Sequence, residues 1–312
     1  MGQEDRIPLL IDTDPGVDDA LAILMALASP RHELLGLCVA AGNVGLQHTV
    51  RNALSLLDAA KRELPVFAGC DRPLLHPAGD AAFVHGNDGF GDVTLPTPSR
   101  CAESEHAALA MIRFSHAHAG RLQLVTLGPL TNLALALRLD PGLPERIDRL
   151  LIMGGAVTGR GNTSLPAEFN IGFDPEAAHI VMQAFPSFEL VDWEATLAHP
   201  IAFPVIDEYL AQNSELSAFY RKISAKTRQW IGQHATAWHA ADGLAMAAAL
   251  DPDAWLESAQ CWIGVELEGR HYRGATLVDW QRRGTNRVNA RILTRFDRQC
   301  FDGWIRRGLA IE

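Results

Sequence analysis

The chain has 312 residues, is 48% hydrophobic and carries a formal net charge of −10. This length and hydrophobic content suffice for a large core, and we predict a single domain over residues 1–312. The acidic balance argues against binding to nucleic-acid polymers or anionic membranes, because both require a basic surface. No apolar run of the sequence reaches the length of a membrane span.

The cysteines and the first residues of the chain indicate in which cellular compartment the protein is expected. The five cysteines are scattered without CxxC spacing, and the chain begins with a polar, acidic segment unlike a signal peptide. An odd number of cysteines without a disulfide framework is typical of free thiols in a reducing compartment. The sequence therefore predicts a cytoplasmic protein.

The first predicted strand, Leu9–Ile11, ends at a group of four acids, Asp12, Asp14, Asp18 and Asp19, and a helical pattern follows at once. In open α/β sheets, ligands bind just beyond the carboxyl ends of the strands. Carboxylates this close raise one another's pKa unless a cation or a polyol offsets them, and Ca²⁺ or Mg²⁺ suits such oxygen-rich clusters. Helix capping accounts for one or two of these acids but not for all four.

Strand-like and helical patterns alternate through the first two-thirds of the chain. Further strands are predicted over Leu34–Ala41, Leu122–Leu127, Arg149–Met153 and Phe188–Val191. Helices are predicted over Gln47–Arg62, Ala102–His118, Leu130–Arg138, Pro175–Phe185 and Asp242–Leu250. The alternation predicts an α/β fold with an open, mostly parallel, Rossmann-like sheet flanked by helices. Short C-terminal strands, expected to be antiparallel and at an edge, are predicted over Ile263–Leu267, Ala275–Asp279 and Val288–Leu293.

Three of the predicted strands end in glycine-containing turns, at Gly42-Asn43, Gly128-Pro129 and Gly154-Gly155. Glycines there let the backbone approach a ligand, so we expect the turns to form one pocket rim with the acids. Two long segments, 79–98 and 158–172, are predicted loops, which are often lids in compact domains. A flexible surface loop is the alternative for the first.

The second of these loops contains Asn162, Glu168 and Asn170. Amides together with a carboxylate suit a sugar, whose hydroxyl groups need both donors and acceptors. Much later, Asp242 opens an alanine-rich helical pattern, and taken by itself it is best interpreted as an N-cap.

Taken together, these motifs resemble those of the nucleoside hydrolase family, in the same order and over nearly the whole chain. The matching motifs are Asp12–Asp19, Ala41–Asn43, Gly128–Asn132, Met153–Gly155, Glu168–Asn170 and Asp242. The first motif is highly specific for the family, whereas Met-Gly-Gly alone would be weak.

The resemblance implies a Ca²⁺-dependent N-glycosidase that hydrolyses the bond between ribose and a nucleobase of a small ribonucleoside. The implied ligands of the ion are Asp14, Asp19, Asp242 and the backbone carbonyl of Leu127. Asp14 would also be the base for the attacking water. The implied sugar contacts are Asp18, Asn43, Met153, Asn162, Glu168 and Asn170. We also expect a homodimer or homotetramer.

The implied chemistry agrees with the residue types. Breaking an N-glycosidic bond builds positive charge on the sugar, as in other glycoside cleavages, and a carboxylate-rich pocket stabilises that charge. Ca²⁺ lowers the pKa of water less than Zn²⁺ does, so a carboxylate base remains necessary.

One departure concerns the leaving base. Pyrimidine-specific and broad-specificity members of the family typically place a histidine directly before the last metal aspartate, where this chain has Ala241. His239 could replace that histidine as the acid, or Trp238 or Trp230 could stack on the base, although a tryptophan in such a place is more often core. His85 matches a base-side histidine of several subgroups, with a solvated loop histidine as its alternative. We expect purine nucleosides to be better substrates than uridine and cytidine.

Two other functions remain open from the sequence alone. A phosphatase could use Asp12 and Asp14, but Gly16 stands where that class has threonine or valine, and we identify no later lysine near acidic ligands. A Ca²⁺-dependent sugar-binding protein without catalysis is the second alternative, because the histidine before Asp242 is missing.

Overall fold

The fold is built around an eight-stranded sheet, in a computed structural model that describes residues 6–311. The predicted single domain also includes residues 1–5 and 312, which lie outside the described residues. The strands are β1 (Ile7–Thr13), β2 (His32–Val39), β3 (Val66–Ala68), β4 (Leu122–Thr126), β5 (Ile147–Met153), β6 (Phe188–Val191), β7 (Ile201–Ala202), β8 (Ala237–Trp238), β9 (Trp255–Cys261), β10 (Ile263–Val265), β11 (Thr276–Val278) and β12 (Ala290–Phe296).

Helices cover both faces of this sheet. They are α1 (Val17–Leu27), α2 (Leu46–Ala59), α3 (Ala82–His85), α4 (Ala107–Ala117), α5 (Thr131–Leu139), α6 (Leu143–Arg146), α7 (Phe169–Phe173), α8 (Pro175–Ala184), α9 (Trp193–Ala198), α10 (Phe203–Ala211), α11 (Glu215–His234), α12 (Ala241–Leu250) and α13 (Arg298–Gly308). Within residues 6–311, no helix combines the length and the apolar character needed to cross a membrane.

The strand order confirms the predicted open, mostly parallel α/β sheet. The order is β3-β2-β1-β4-β5-β6-β12-β9, and every neighbouring pair is parallel except β12 and β9. β1 lies near the middle and is apolar on both faces: Leu9 and Ile11 pack into one core and Leu10 into the other. Because β1 pairs in parallel with β2 and β4, its carboxyl end and the acids after it lie beside the ends of those two strands.

The C-terminal strands depart in part from the prediction. The strands β10 and β11 form a separate antiparallel pair, but β12 lies inside the main sheet, parallel to β6. The edge strand β9 was not predicted, because its middle residues are polar and exposed. An edge strand needs no apolar run when one of its faces meets solvent.

The helical predictions were right in place but not always at their ends. The helix α4 begins at Ala107, after the N-cap His106, and not at residue 102. The helix α12 begins at Ala241, so Asp242 lies in its first turn and is not its N-cap. The long helix α11 was not predicted, because its sequence is largely polar and only a narrow stripe of it is buried. The two predicted loops contain the short helices α3 and α7.

Candidate active site

Acidic side chains from two helix N-termini meet beyond the end of β1. Asp18 and Asp19 lie in the first turn of α1, Asp242 lies in the first turn of α12, and these two helices pack against each other. One carboxylate oxygen from each of the three lies within 4.8 Å of the others. The positive ends of the two helix dipoles favour negative charge there, but they do not balance three carboxylates.

Asp19 is held by several donors at once. The backbone N–H of Gly16 and the amide of Asn43 each donate to its Oδ2 at 3.0 Å, and the hydroxyl of Thr13 donates to its Oδ1. The capping interpretation is therefore correct for Asp19, which also belongs to the acidic cluster.

Asp14 is fixed by the turn that follows β2. The backbone N–H of Asn43 donates to Asp14 Oδ2 at 2.7 Å, and the Asn43 amide donates to the Asp14 carbonyl at 3.1 Å. A Cβ at Gly42 would stand 2.1 Å from Asp14 Oδ2, and one at Gly128 would stand 2.3 Å from Oδ1. The glycines of these two turns thus let the Asp14 carboxylate lie directly against the backbone, as the predicted pocket rim requires.

The cluster carries more negative charge than its surroundings offset. Burial raises the pKa of the carboxyl groups of Asp14, Asp18, Asp19 and Asp242, and neighbouring acids raise it further for all of these except Asp18. Among the described residues, the buried Oδ1 of Asp18 has no hydrogen-bond partner. An unsatisfied buried oxygen beside several carboxylates is the environment that a hard cation stabilises, so the donor set fits Ca²⁺ or Mg²⁺.

The predicted metal ligands are close together but are not identical to the tightest group. Asp19 and Asp242 belong to that group, whose third member is Asp18, which we had predicted to contact the sugar. Asp14 is near enough to raise the pKa of Asp242. The carbonyl of Leu127 accepts a hydrogen bond from the amide of Asn170 at 2.7 Å and retains a second lone pair.

The opposite wall contains the predicted sugar contacts of the second loop. Glu168 caps α7 and accepts hydrogen bonds from the backbone of Asn170 at 2.9 Å, of Ile171 at 3.2 Å and of Gly155 at 2.9 Å. Burial raises the pKa of Glu168 to about 7 despite these donors. The Asn162 Oδ1 accepts from the backbone N–H of Phe169 at 2.8 Å. Hydrogen bonds within the protein therefore hold this wall together.

These walls enclose a cavity of about 440 Å³, which is large enough for a small molecule. Its acidic end is formed by Asp18 and Asp242 of the cluster together with Asn43, Leu127 and Met153. Rings also line the cavity, and we call the part that they form the aromatic end: Phe83, Phe169, Trp193, Trp230, His234, Trp238 and His239. All the predicted sugar contacts line this cavity.

The two histidine candidates for acting on the base occupy different places. His85 is buried near the acidic end, where its Nδ1 accepts from the backbone N–H of Val17 at 3.2 Å. Burial lowers the pKa of His85 to about 4, so the ring is neutral and its 3.9 Å contact with Asp18 is not an ion pair. His239 lies at the aromatic end, with its ring 6.3 Å from that of Trp193, and burial lowers its pKa.

The two tryptophans proposed for stacking differ in exposure. Trp238 is only 1% exposed and packs edge-on against Tyr220, so it is mainly core. Trp230 is half-buried, stacks on His234 with ring centres 4.3 Å apart, and meets Phe83 edge-on at 5.7 Å. Sequence analysis missed Phe83 and Trp193, because isolated aromatics in a loop and at the start of a short helix carry no periodic signal.

The comparisons with known proteins agree with this geometry. Residues 9–302 match the family model described as inosine-uridine preferring nucleoside hydrolase. The chain belongs to this family. It is therefore an N-glycosyl hydrolase of the ribonucleoside hydrolase type, which is metal-dependent. The assignment supports hydrolysis over the phosphatase and sugar-binding alternatives.

Relatives in the family are named for different preferences toward the nucleobase. The chain is 35% identical over 302 residues to the pyrimidine-specific ribonucleoside hydrolase RihA of Salmonella agona, covering 95% of this chain and 96% of the relative. It superposes on an inosine-guanosine nucleoside hydrolase with a TM-score of 0.91 and 31% identity, covering 98% and 99% of the two chains. It also superposes on a purine-preferring ribonucleoside hydrolase from Gardnerella vaginalis with a TM-score of 0.89 and 30% sequence identity. That superposition covers 97% of this chain and 98% of the other.

Proposed function

We propose that this protein hydrolyses purine ribonucleosides to free base and ribose, with Ca²⁺ as its cofactor. The observation that carries the proposal is the acidic cluster at one end of the cavity, with the unpartnered buried oxygen of Asp18 among the described residues. A ribosyl group that gains positive charge as the bond breaks would be stabilised there.

The proposed ligands of the ion are the carboxylates of Asp14, Asp19 and Asp242 and the carbonyl of Leu127. When bound, Ca²⁺ would keep the carboxylates ionised and orient the attacking water. Asp18, which lies in the tightest acidic group and lines the cavity, is proposed to bind ribose hydroxyls.

Asp14 is the proposed general base. Its Oδ2 is oriented by the backbone N–H of Asn43, which leaves Oδ1 able to take a proton from water. Asn43, Asn162, Glu168 and Asn170 are proposed to hold the ribose hydroxyls, with Met153 against the sugar. Because Glu168 and Asn170 are fixed by neighbouring backbone groups, they need little reorganisation on binding.

The proposed preference for purine bases rests on the residues at the aromatic end of the cavity. Ala241 supplies no acid, and purines can leave after protonation at N7 by solvent, helped by stacking. The half-buried Trp230 supports stacking better than Trp238 does. His239 is retained as a second candidate for the proton donor and His85 as a third. The relatives named for purines and for pyrimidines leave this choice to experiment.

Three further features belong to the proposal. We propose a single domain, because the main sheet includes strands from residue 7 to residue 296. We propose a cytoplasmic location, since the five cysteines are free thiols. We propose a homodimer or homotetramer, because apolar side chains such as Leu75 and Leu165 are exposed; light scattering of the purified protein would test it.

The experiment that tests the function is release of free ribose from inosine, adenosine, guanosine, uridine and cytidine, with and without a chelator. We expect turnover that is lost with chelator, restored by Ca²⁺, and highest for a purine. Asp242→Asn should lose turnover and bound metal, whereas the exposed Asp253→Asn should retain both. Turnover that persists after complete metal removal would overturn the cofactor proposal.

A further inference from the structure

The segment 155–158 connects β5 to the loop that contains Asn162 and Glu168. It has no regular secondary structure, yet each of its backbone N–H groups is bound by a side chain from elsewhere. Gly155 donates to Glu168 at 2.9 Å, Ala156 to Thr276 at 3.1 Å, Val157 to Glu194 at 2.9 Å and Thr158 to Glu194 at 2.9 Å. Side chains therefore determine the path of this segment, as backbone ladders do in a sheet.

Two carboxyl groups meet at one of these N–H groups. The N–H of Val157 also donates to Oδ2 of Asp192 at 3.1 Å, so it lies between Asp192 and Glu194. Asp192 is 1% exposed, and its other oxygen caps α9 through the backbone N–H of Ala195 at 2.9 Å. Glu194 is half-buried and also accepts from the hydroxyl of Thr158.

Two negative charges are unfavourable in so small and buried a space. Burial and the contact with Glu194 raise the pKa of Asp192 well above its usual value. Burial opposes ionisation of Glu194 too, but hydrogen bonds from Asp192 and Thr158 bring its pKa below its usual value. A carboxyl–carboxylate pair with the proton on Asp192 and the charge on Glu194 satisfies every group.

We propose that Asp192 and Glu194 share one proton and act as positioning residues, holding the segment 155–158 so that the loop after it presents Asn162 and Glu168 to the sugar. Neither Asp192 nor Glu194 lines the cavity. The kinetic part of this inference rests on the proposed function, whereas the effect on the loop does not.

The geometry extends the effect to the cavity wall. Trp193, between the two acids, lines the cavity and donates its backbone N–H to the carbonyl of Gly155 at 2.9 Å. Three other titratable or charged groups lie near the segment 155–158 or Trp193. They are Glu168, His239 beside Trp193, and Arg160, which donates to the Thr158 hydroxyl at 3.2 Å. A pH effect must therefore be assigned by substitution.

Trypsin provides a readout that needs no substrate. Arg160 is exposed two residues after the held segment, so cleavage between Arg160 and Gly161 reports how often the loop opens. We expect Glu194→Ala to speed this cleavage about tenfold, because the hydrogen bonds from two backbone N–H groups to the Glu194 carboxylate are lost. Asp297→Asn, which alters a similar helix cap on α13, should leave the cleavage rate unchanged.

Kinetics then separate positioning from a general loss of stability. Glu194→Ala should raise the KM for inosine about tenfold while kcat changes less than about twofold. In the natural protein, KM should rise as the pH is raised through the range in which the pair loses its proton, because the two charges then repel each other. Asp192→Asn keeps a donor toward Glu194 and cannot ionise, so the same rise should be much smaller.

Several results would overturn the inference. A folded Glu194→Ala variant with normal cleavage after Arg160 would do so, and so would an Asp192→Asn variant whose KM rises with pH as in the natural protein. If Glu194→Ala does not fold, Asp192→Asn decides through its pH profile. Absence of any ribonucleoside hydrolysis would overturn the proposed function instead, and the trypsin experiment would still test the loop.

Discussion

The two ends of the cavity are built in different ways. At the acidic end, Asp14 and Asp19 are buried and each is fixed by backbone N–H groups within 3.3 Å. At the aromatic end, Phe83 is 63% exposed and Trp230 is half-buried against His234. A hydrogen-bonded, glycine-lined end can hold one geometry closely, whereas stacked side chains on a helix can be exchanged at small cost. We infer that the acidic end determines the ribose chemistry and the aromatic end determines the base.

The acidic end should give the largest effect. Replacing Asp14 by Asn removes the proposed base but keeps the shape of the side chain, so kcat for inosine should fall about 10²–10⁴-fold with a small change in KM. Metal content must be measured alongside, because Asp14 is also a proposed ligand. The exposed Asp253→Asn is the matched control. Near-normal turnover by a metal-loaded Asp14→Asn variant would refute the proposed role of Asp14 as the general base.

The second prediction concerns a charged substrate. The acidic end and the buried carboxyl of Glu168 should repel a phosphate on the ribose, so inosine should exceed its 5′-monophosphate by about 10² or more in kcat/KM. Assays of the two compounds under one buffer and salt condition measure this ratio. Similar rates on both would show that the sugar is bound in another orientation.

A smaller effect is expected at the aromatic end. Trp230→Ala should lower kcat/KM for purine nucleosides about 5- to 100-fold, which corresponds to loss of one base-stacking contact. Trp280, which is 45% exposed, provides a control, since Trp280→Ala should have no effect. An equal loss for purines and uridine would mean that the ring supports the fold and does not select the base.

The smallest effect is expected for His239. Because burial lowers the pKa of His239, the ring is neutral at pH 7. It gains a proton only when the pH falls below the usual pKa of histidine. If it donates that proton to the base, kcat for uridine should rise as the pH falls from about 7 to about 5. The rise should be absent in His239→Ala. A profile that does not change on substitution would remove His239 as the acid.

Most of the acidic end could be predicted from the sequence because its signals are local, whereas Asp242 was assigned to it only through the family resemblance. The acids directly follow a buried strand, and the glycines at positions 42 and 128 stand where a Cβ would strike the Asp14 carboxylate. The parallel sheet brings the ends of successive strands together, so a pattern on each strand predicts a shared site.

The aromatic end could not be predicted in the same way. Its rings come from α3, α7, α9, α11 and the segment before α12, which are brought together only by tertiary packing. The sequence suggested Trp238 as readily as Trp230, and only the fold distinguishes a core ring from an accessible one. The edge strand β9 and the polar helix α11 were missed for a related reason: one exposed face removes the apolar pattern.

One measurement tests the division between the two ends most directly: the ratio of kcat/KM for inosine to that for uridine in Asp14→Asn and in Trp230→Ala, against the natural protein. The account predicts that Asp14→Asn lowers both values together and leaves the ratio within about threefold, whereas Trp230→Ala lowers the ratio by about fivefold or more. A changed ratio in Asp14→Asn together with an unchanged one in Trp230→Ala would contradict it.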